Sequence, residues 1–355
     1  MTSNDKANAL QSQVQQAIAA NTPLQIRGGN TKTFLGRPVM ADLVLDTTSH
    51  QGIVLYEPSE LAITVRSGTP LQQVIDALSA ENQQLPFEPP TFGPTSTIGG
   101  VIAAGLAGPR RPYNGAVRDS LLGVKLINGK GEILQFGGQV MKNVAGYDLS
   151  RPMAGAMGTL GVLLEVSLKL KPVPESEITL VKPVAANTAL DSLQSFHQQP
   201  GNLSGLAWVD GRLYVRLAGC HEATAAAAEK LGGERLADGE AFWQDINNQQ
   251  HAFFQDETPL WRLSIKPFTK ALPLEGEQLL EWAGGLRWIK TTAPAEQIRE
   301  IAAHAGGHAT LFRPNSAVDS PFHPLPAELM LLNRQLKQAM DPQGIFNPGR
   351  LYAGL

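Results

Sequence analysis

The feature that most constrains this chain is a glycine pair that ends a strand without opening a helix. Leu24–Arg27 reads as a short buried strand running into Gly28-Gly29, followed by Asn30 and Thr31. Glycines let successive backbone N–H groups converge on an anion, forming a nest suited to a pyrophosphate. Asn30 and Thr31 can add side-chain donors. A Rossmann site would instead place Gly-x-Gly-x-x-Gly at the start of a helix after the strand, and this loop lacks that pattern. The plain alternative is a simple turn.

Three later segments share this character. Pro94-Thr95-Ser96-Thr97-Ile98-Gly99-Gly100 leads into Val101 to Gly108. Paired glycines at a helix start are expected to leave free N–H groups, with the Ser96 and Thr97 hydroxyls beside them. The small apolar run from Val101 to Gly105 would allow close contact with a flat ring system, or equally a helix packed for sterics. Gly155-Ala156-Met157-Gly158-Thr159-Leu160-Gly161-Val162 resembles Gly-x-x-Gly-x-x-Gly. A strand follows it, the reverse of the Rossmann order, and the alternative is a loop with positive-φ positions. Ile345-Phe346-Asn347-Pro348-Gly349-Arg350 lies where a chain commonly frays, yet its apolar neighbours predict a tucked-in segment.

Between these loops the pattern alternates short strands and helices. Leu10, Val14 and Ile18 recur at helical spacing after Ser3-Asn4 and before Pro23. Leu43–Leu45, Ile53–Tyr56 and Ala62–Val65 read as strands. Thr69 as N-cap and Pro70 at the first helical position predict a helix with Leu71, Val74, Ile75 and Leu78 on its apolar face. Leu121–Ile127 and Glu132–Phe136 flank Asn128-Gly129, a hairpin signal. The alternation of Val162, Leu164, Val166, Leu168 and Leu170 predicts a half-buried strand. Lys171-Pro172-Val173-Pro174 stops it and marks a boundary. Beyond it, Leu203–Val209 and Arg212–Leu217 pair across Asp210-Gly211, and Glu222–Leu231 is an Ala-rich helix. Strands at Leu260–Ile265, Leu286–Thr291 and His308–Phe312 and helices at Glu296–His304 and Leu329–Met340 complete an α+β reading. The expected organisation is a ligand-binding domain at 1–172, an α+β cap at 173–325, and a C-terminal segment, 326–355, returning to the first domain.

Composition excludes several functions. The net charge is −3, with no long basic run, so non-specific binding to a nucleic-acid backbone is not expected. The single cysteine, Cys220, can form neither an internal disulfide, an iron–sulfur cluster nor a Cys-based zinc site. No apolar stretch approaches the roughly 20 residues of a membrane span, and Met1 to Asn21 lacks a signal-peptide core. The expectation is a cytoplasmic protein, or one held at the inner membrane through partners.

The order RGGNT, PTSTIGG, GAVRD, GAMGTLGV, a capping region and IFNPG resembles the VAO/PCMH flavoprotein family. Within it, Gly105 to Pro112, Phe136 to Arg151 and Ala305 to Thr310 are similar to the FAD-binding subunits of glycolate-oxidising complexes, across nearly the whole chain. The resemblance implies a two-subdomain VAO/PCMH-type FAD-binding fold with a smaller α+β cap. It assigns Arg27, Gly28, Gly29, Asn30 and Thr31 to the pyrophosphate loop. Pro94, Ser96, Thr97, Ile98, Gly99, Gly100 and Gly105 would line the pyrophosphate and ribityl region. Asp119 would sit near the adenine side, Gly158, Gly161 and Val162 would contact flavin or adenosine through backbone, and Asn347 would approach the isoalloxazine ring. The implied chemistry is oxidation of a small 2-hydroxy acid, glycolate to glyoxylate, with hydride passing to the flavin and a base taking the hydroxyl proton. Implied partners are a larger FAD-linked subunit, on which the substrate would chiefly be oxidised, and an iron–sulfur subunit. A self-sufficient oxidoreductase of another 2-hydroxy acid or polyol, or a structural subunit with a degenerate flavin site, are the alternatives.

Two departures from the family pattern matter. Many relatives carry a flavin-linking His where this chain has Asn30. An amide cannot form that bond, so FAD is expected to be non-covalent. The cap also lacks the usual His-rich motif and offers only His304, His308 and Arg313. Gly306-Gly307 should break a helix carrying both histidines, so no metal site is expected. His308, Arg110 and Arg111 are the remaining candidates for catalysis: His308 as proton acceptor, the Arg pair as a fork for a carboxylate. A structural His and a solvated basic patch are the alternatives. Lys142, Asn143, Tyr147, Asp148 and Arg151 could meet the flavin edge or a partner chain.

Overall fold

A computed structural model of the chain describes residues 4–138, 148–198, 202–314 and 320–355. It divides into two compact units, one built from residues 1–107, 115–173 and 324–355, the other from residues 108–114 and 174–323. Lys142, Asn143 and Tyr147 lie outside the described residues.

The first unit opens with helix α1 (Ala7–Ala20), strands β1 (Leu24–Arg27), β2 (Leu43–Asp46), β3 (Ile53–Glu57) and β4 (Ala62–Arg66), and helix α2 (Leu71–Ser79). Strand β5 (Gln83–Gln84) and helix α3 (Ile98–Ala104) follow. The chain then contributes α4 (Arg111–Asn114) to the second unit and resumes with α5 (Val117–Ser120), β6 (Leu121–Ile127), β7 (Ile133–Gly137), β8 (Val162–Lys169) and β9 (Lys171–Pro172). The main sheet has the order β3-β4-β8-β6-β7, all antiparallel, while β1 and β2 form a separate parallel pair.

Strand β8 is central, and both its faces are buried rather than one. A bulge explains this. Lys125 pairs with Glu165 and Leu126 with Leu163, so Leu164 is the extra residue. A bulge turns side chains onto a new face. Val162 and Leu164 join α1, β1 and β2 in one core, whereas Leu163, Val166 and Leu168 join α2 and α3 in another.

Local chemistry shifts two expected boundaries. Helix α1 starts at Ala7 after Lys6, with the Asp5 carboxylate accepting from the Ala7 N–H, rather than at Ser3-Asn4. Thr69 does not cap α2. Its hydroxyl donates to Arg66 O and accepts from Gly52 N, so Pro70 occupies the N-cap. Ile75, expected inside, is exposed. The Asn128-Gly129 hairpin forms with a five-residue loop in which the Asn128 carboxamide accepts from the amides of Lys130 and Glu132.

The C-terminal helix α10 (Ala327–Met340) sends the chain back through the first unit. Lys337 Nζ reaches Thr159 O, Phe346 O and the Asp341 carboxylate, and Asp341 accepts from the amides of Ile345 and Phe346. This buried knot carries Ile345 and Phe346 into the core around α1.

The second unit is an eight-stranded antiparallel sheet. Its elements are β10 (Ser176–Pro183), α6 (Ala189–Gln198), β11 (Leu203–Val209), β12 (Arg212–Gly219), α7 (His221–Leu231), β13 (Glu234–Arg235), α8 (Gly239–Asn248), β14 (Leu260–Ser264), β15 (Glu277–Glu281), β16 (Leu286–Lys290), α9 (Ala295–His304) and β17 (His308–Arg313). The order is β13-β10-β12-β11-β15-β16-β14-β17. Asp210 and Gly211 both have positive φ, and Val209 faces Arg212 across that two-residue turn, as a twist-matched hairpin requires. Strand β15 and helices α6 and α8 are additions to the sequence-derived elements, although both helices are amphipathic. Packing against the sheet through residues such as Leu193, Trp243 and Leu280 stabilises them.

Candidate functional site

The first unit contains a cleft enclosing about 1030 Å³ of empty space, its solvent-facing part included. Ligand sites commonly span a few hundred to about 1,000 Å³. The floor is the loop after β1. Gly28 to Thr31 present four successive amides that donate to no acceptor among the described residues. Asn30 is left-handed, with φ 60°. Such an arrangement concentrates partial positive charge on one point.

Glycine is required at position 29 by proximity, not by its dihedrals. A Cβ there would stand 1.5 Å from the Thr95 carbonyl oxygen, and the Thr95 hydroxyl donates to Gly29 O at 2.7 Å. The two loops thus lie backbone against backbone. Gly158 combines both reasons: its φ is +74°, and a Cβ would meet the Asn347 amide nitrogen at 2.6 Å.

The 94–100 segment behaves differently from the sequence expectation. The amides at the start of α3 are not free. Ile98 N donates to Thr69 O, Gly99 N to Ser67 O and Gly100 N to the Thr97 hydroxyl. Ser96, Thr97, Gly99 and Gly100 line the cleft. What they offer a ligand is hydroxyl groups and small contact surface. Ser67, also in the wall, has a buried hydroxyl with no hydrogen-bond partner among the described residues. Buried polar groups rarely stay unpaired, so this orphan is suited to a polar ligand.

Of the other sequence-derived candidates, Gly158, Gly161 and Asn347 line the same cleft. Asn347 does so as a staple: its side-chain oxygen accepts from Ile26 N at 2.7 Å and its nitrogen donates to Met157 O at 2.6 Å. Pro94, Ile98, Gly105, Asp119 and Val162 do not line it. Ile98 and Val162 point into the two cores. Gly105 is the left-handed C-cap of α3, packed against Gly155. Asp119 accepts from Ala116 N and stabilises the first turn of α5.

Three lining residues define the electrostatics, and two of them, Lys32 and Arg350, were not among the sequence-derived candidates. Among the described residues, Arg27, Lys32 and Arg350 are the charged residues of the wall, and no carboxylate or histidine lines it. Arg27 pairs with Asp46 at 3.4 Å. Arg350 is spent on the carbonyls of Lys32, Thr33 and Arg37, holding that loop shut. Lys32 Nζ meets only neutral oxygens, Ser96 Oγ at 2.9 Å, Thr31 Oγ1 at 3.2 Å and Thr91 O at 3.3 Å. Burial pushes its ammonium down to about 8. A net-cationic wall, a nest of free amides and an orphaned hydroxyl together fit a diphosphate-bearing cofactor such as FAD.

The second unit holds the catalytic candidates. Arg110 does not fork outward; it bonds Glu177 at 2.5 Å and is buried. Arg111 instead lies over the Trp282 ring, 4.4 Å from guanidinium carbon to centroid, and Arg262 lies 5.2 Å from the same centroid. Trp282 and Ala283 both have left-handed φ, and the Trp282 indole donates to Gly108 O. His308 feels Arg262, His323 and Arg111, and burial with those charges lowers its pKa. His304 bonds Glu300 O on α9. Among the described residues no His, Cys, Asp or Glu cluster could hold a metal ion. Asp148 and Arg151 pair with each other at 3.0 Å.

A family model described as an FAD binding domain matches residues 5–137. Glycolate oxidase subunit GlcE of Escherichia coli is 50% identical over 351 residues, covering 99% of each chain. This chain belongs to that FAD-binding flavoprotein family. Its cofactor is FAD, and it is a subunit of the FAD-dependent oxidoreductase type. More distant members match only in part. Glycolate oxidase subunit GlcD of Bacillus subtilis is 34% identical over 45% of this chain and 34% of its own length. A D-lactate dehydrogenase of Anaerostipes hadrus is 32% identical over 40% of this chain and 29% of its own length. The structure of an alkyldihydroxyacetonephosphate synthase superposes with a TM-score of 0.64 over 96% of this chain and 74% of that one, at 15% identity. That likeness bears on fold alone, and it agrees with the VAO/PCMH-type fold. No helix among the described residues is long and apolar enough to cross a membrane.

Proposed function

We propose that this chain is the FAD-binding subunit of a complex that oxidises glycolate to glyoxylate. It would work beside a larger flavoprotein subunit and an iron–sulfur subunit. The observation that carries the reading is the cleft itself: free amides and cations for a cofactor, with no histidine or carboxylate among the described residues of the wall to take a substrate proton. The near full-length similarity to GlcE supports the substrate class. When bound, FAD supplies the two-electron acceptor. The protein's part is to hold the diphosphate on Gly28–Thr31 and to line the cleft with Ser96, Thr97, Gly99, Gly100, Gly158 and Gly161. The flavin is held non-covalently, because Asn30 is an amide and, among the described residues, no His, Cys, Tyr or Asp lines the cleft. Electrons leave through a partner, since Cys220 alone cannot ligate a cluster.

One observation favours a second reading, in which the chain oxidises a 2-hydroxy acid itself. Arg111, Arg262 and His308 come together in the second unit, and two guanidinium groups beside an imidazole suit a small carboxylate. Expressing the chain alone and with its partners separates the readings. Flavin absorbance is recorded before and after anaerobic glycolate. The first reading expects bleaching only in the assembled complex. Bleaching of the isolated chain would overturn the auxiliary role, and absence of flavin from every assembly would overturn the flavoprotein role.

A further inference from the structure

We propose that Lys32 is the counter-charge for the FAD diphosphate, so that this one side chain makes the cleft select a diphosphate-bearing flavin over riboflavin. The inference rests on the FAD reading and deepens it. Three observations carry it. Lys32 follows directly on the four unbonded amides of Gly28–Thr31, and its Nζ lies 3.2 Å from the hydroxyl of Thr31, the last residue of that loop. Its ammonium sits against Ser96 Oγ, Thr31 Oγ1 and Thr91 O, with the Phe92 ring 5.7 Å away. These neutral partners orient the ammonium without neutralising it. Finally, the other two cations among the described residues of the wall are committed, Arg27 to Asp46 and Arg350 to three carbonyls.

A partly buried ammonium without an anion is costly, because burial disfavours the charged form. A diphosphate restores the missing charge and gains a charge-assisted hydrogen bond. Binding and protonation of Lys32 are therefore linked. In the FAD-free chain Lys32 loses its proton near pH 8, and a bound dianion holds that proton to higher pH. Affinity for FAD is then level below pH 8 and declines above it. Among the described residues the remaining charged groups facing the cleft are Arg27 and Arg350, and the residues against the ammonium, Phe92, Thr31, Thr91 and Ser96, do not titrate.

The test compares flavin-stripped full-length wild type with Lys32→Met and Lys32→Arg. Flavin fluorescence titrations with FAD and with riboflavin run from pH 6.5 to 9. Lys32→Met is expected to lose about 10- to 100-fold in FAD affinity, the range of one hydrogen bond to a charged group, with riboflavin affinity unchanged. Its FAD affinity should be flat with pH, and Lys32→Arg should restore most of the loss and also bind without the decline above pH 8. A second measurement does not depend on any variant folding. In wild type, inorganic pyrophosphate should slow acylation of the Lys32 amine by an amine-reactive reagent, read by peptide mass spectrometry. Equal FAD affinity in wild type and Lys32→Met, or no protection by pyrophosphate, overturns the assignment while leaving FAD binding intact. Failure of wild type to bind FAD overturns both.

Discussion

Replacing Asp341 with alanine strikes the knot that returns the C-terminus to the first unit. Asp341 is 1% exposed. Its carboxylate accepts from Lys337 Nζ at 2.6 Å, Ile345 N at 3.2 Å and Phe346 N at 2.8 Å. Truncation leaves a buried ammonium with only the carbonyls of Thr159 and Phe346, and leaves two buried amides unpaired. Removing one partner of a buried ion pair costs about 3–5 kcal/mol. The unpaired amides push the result to the upper end of that range, since each buried orphan costs about 1–3 kcal/mol and part of the loss is already counted. At about 2–4 °C per kcal/mol for a unit of this size, the first unit should melt about 10–20 °C lower. The assay is thermal unfolding of purified, flavin-stripped protein, followed by circular dichroism. The double variant Lys337→Met, Asp341→Leu removes both charges and should recover the part of the loss that comes from the unpaired ammonium, while the two amides stay unpaired. A melting point within 2 °C of wild type for Asp341→Ala would refute the reasoning, because the carboxylate would then be dispensable to the fold.

The remaining expectations concern single contacts. Phe346→Ala should cost about 3–5 kcal/mol by opening a cavity in the core around α1, measured by urea unfolding, because Phe346 is fully buried there. Gly29→Ala should abolish FAD retention on a folded chain, since its Cβ would overlap the Thr95 carbonyl; flavin-to-protein absorbance after gel filtration reads this, and full retention would show that the loop can move aside freely. Asn347→Ala should weaken FAD binding through loss of the bonds to Ile26 N and Met157 O, with Asn347→Asp, which lacks the donor, intermediate in fluorescence titration. His50 is buried, and burial lowers its pKa below the ordinary 6.5. The unfolded chain therefore takes up this proton first as pH falls, so the stability it contributes is complete above pH 6.5 and is lost as pH drops through the folded-state value. The difference in melting point between wild type and His50→Gln should accordingly shrink between pH 7.5 and pH 5; a constant difference would contradict the assignment.

Much of this protein is legible one segment at a time. The strand-then-glycine loop at Leu24–Thr31, the hairpin at Asp210-Gly211 and the buried IFNPG segment are set by backbone sterics and short-range hydrophobic pattern, and these act between residues close in sequence. The missing flavin-linking residue at Asn30 is likewise a matter of composition. Tertiary structure decided the rest. Whether the amides of Ile98, Gly99 and Gly100 were free depended on carbonyls at Ser67 and Thr69, and whether Val162 to Leu168 faced one core or two depended on an unpaired residue against β6. Arg110 and Arg111 are adjacent and chemically identical, yet one meets Glu177 and the other Trp282. Lys32 reads as an ordinary surface lysine until the walls of the cleft close around it with no carboxylate among their described residues. Hydrogen-bond satisfaction and desolvation depend on what distant segments bring to the same place, and so the sequence determined that a glycine loop follows β1 while only the folded chain decided which of its groups remain free to bind.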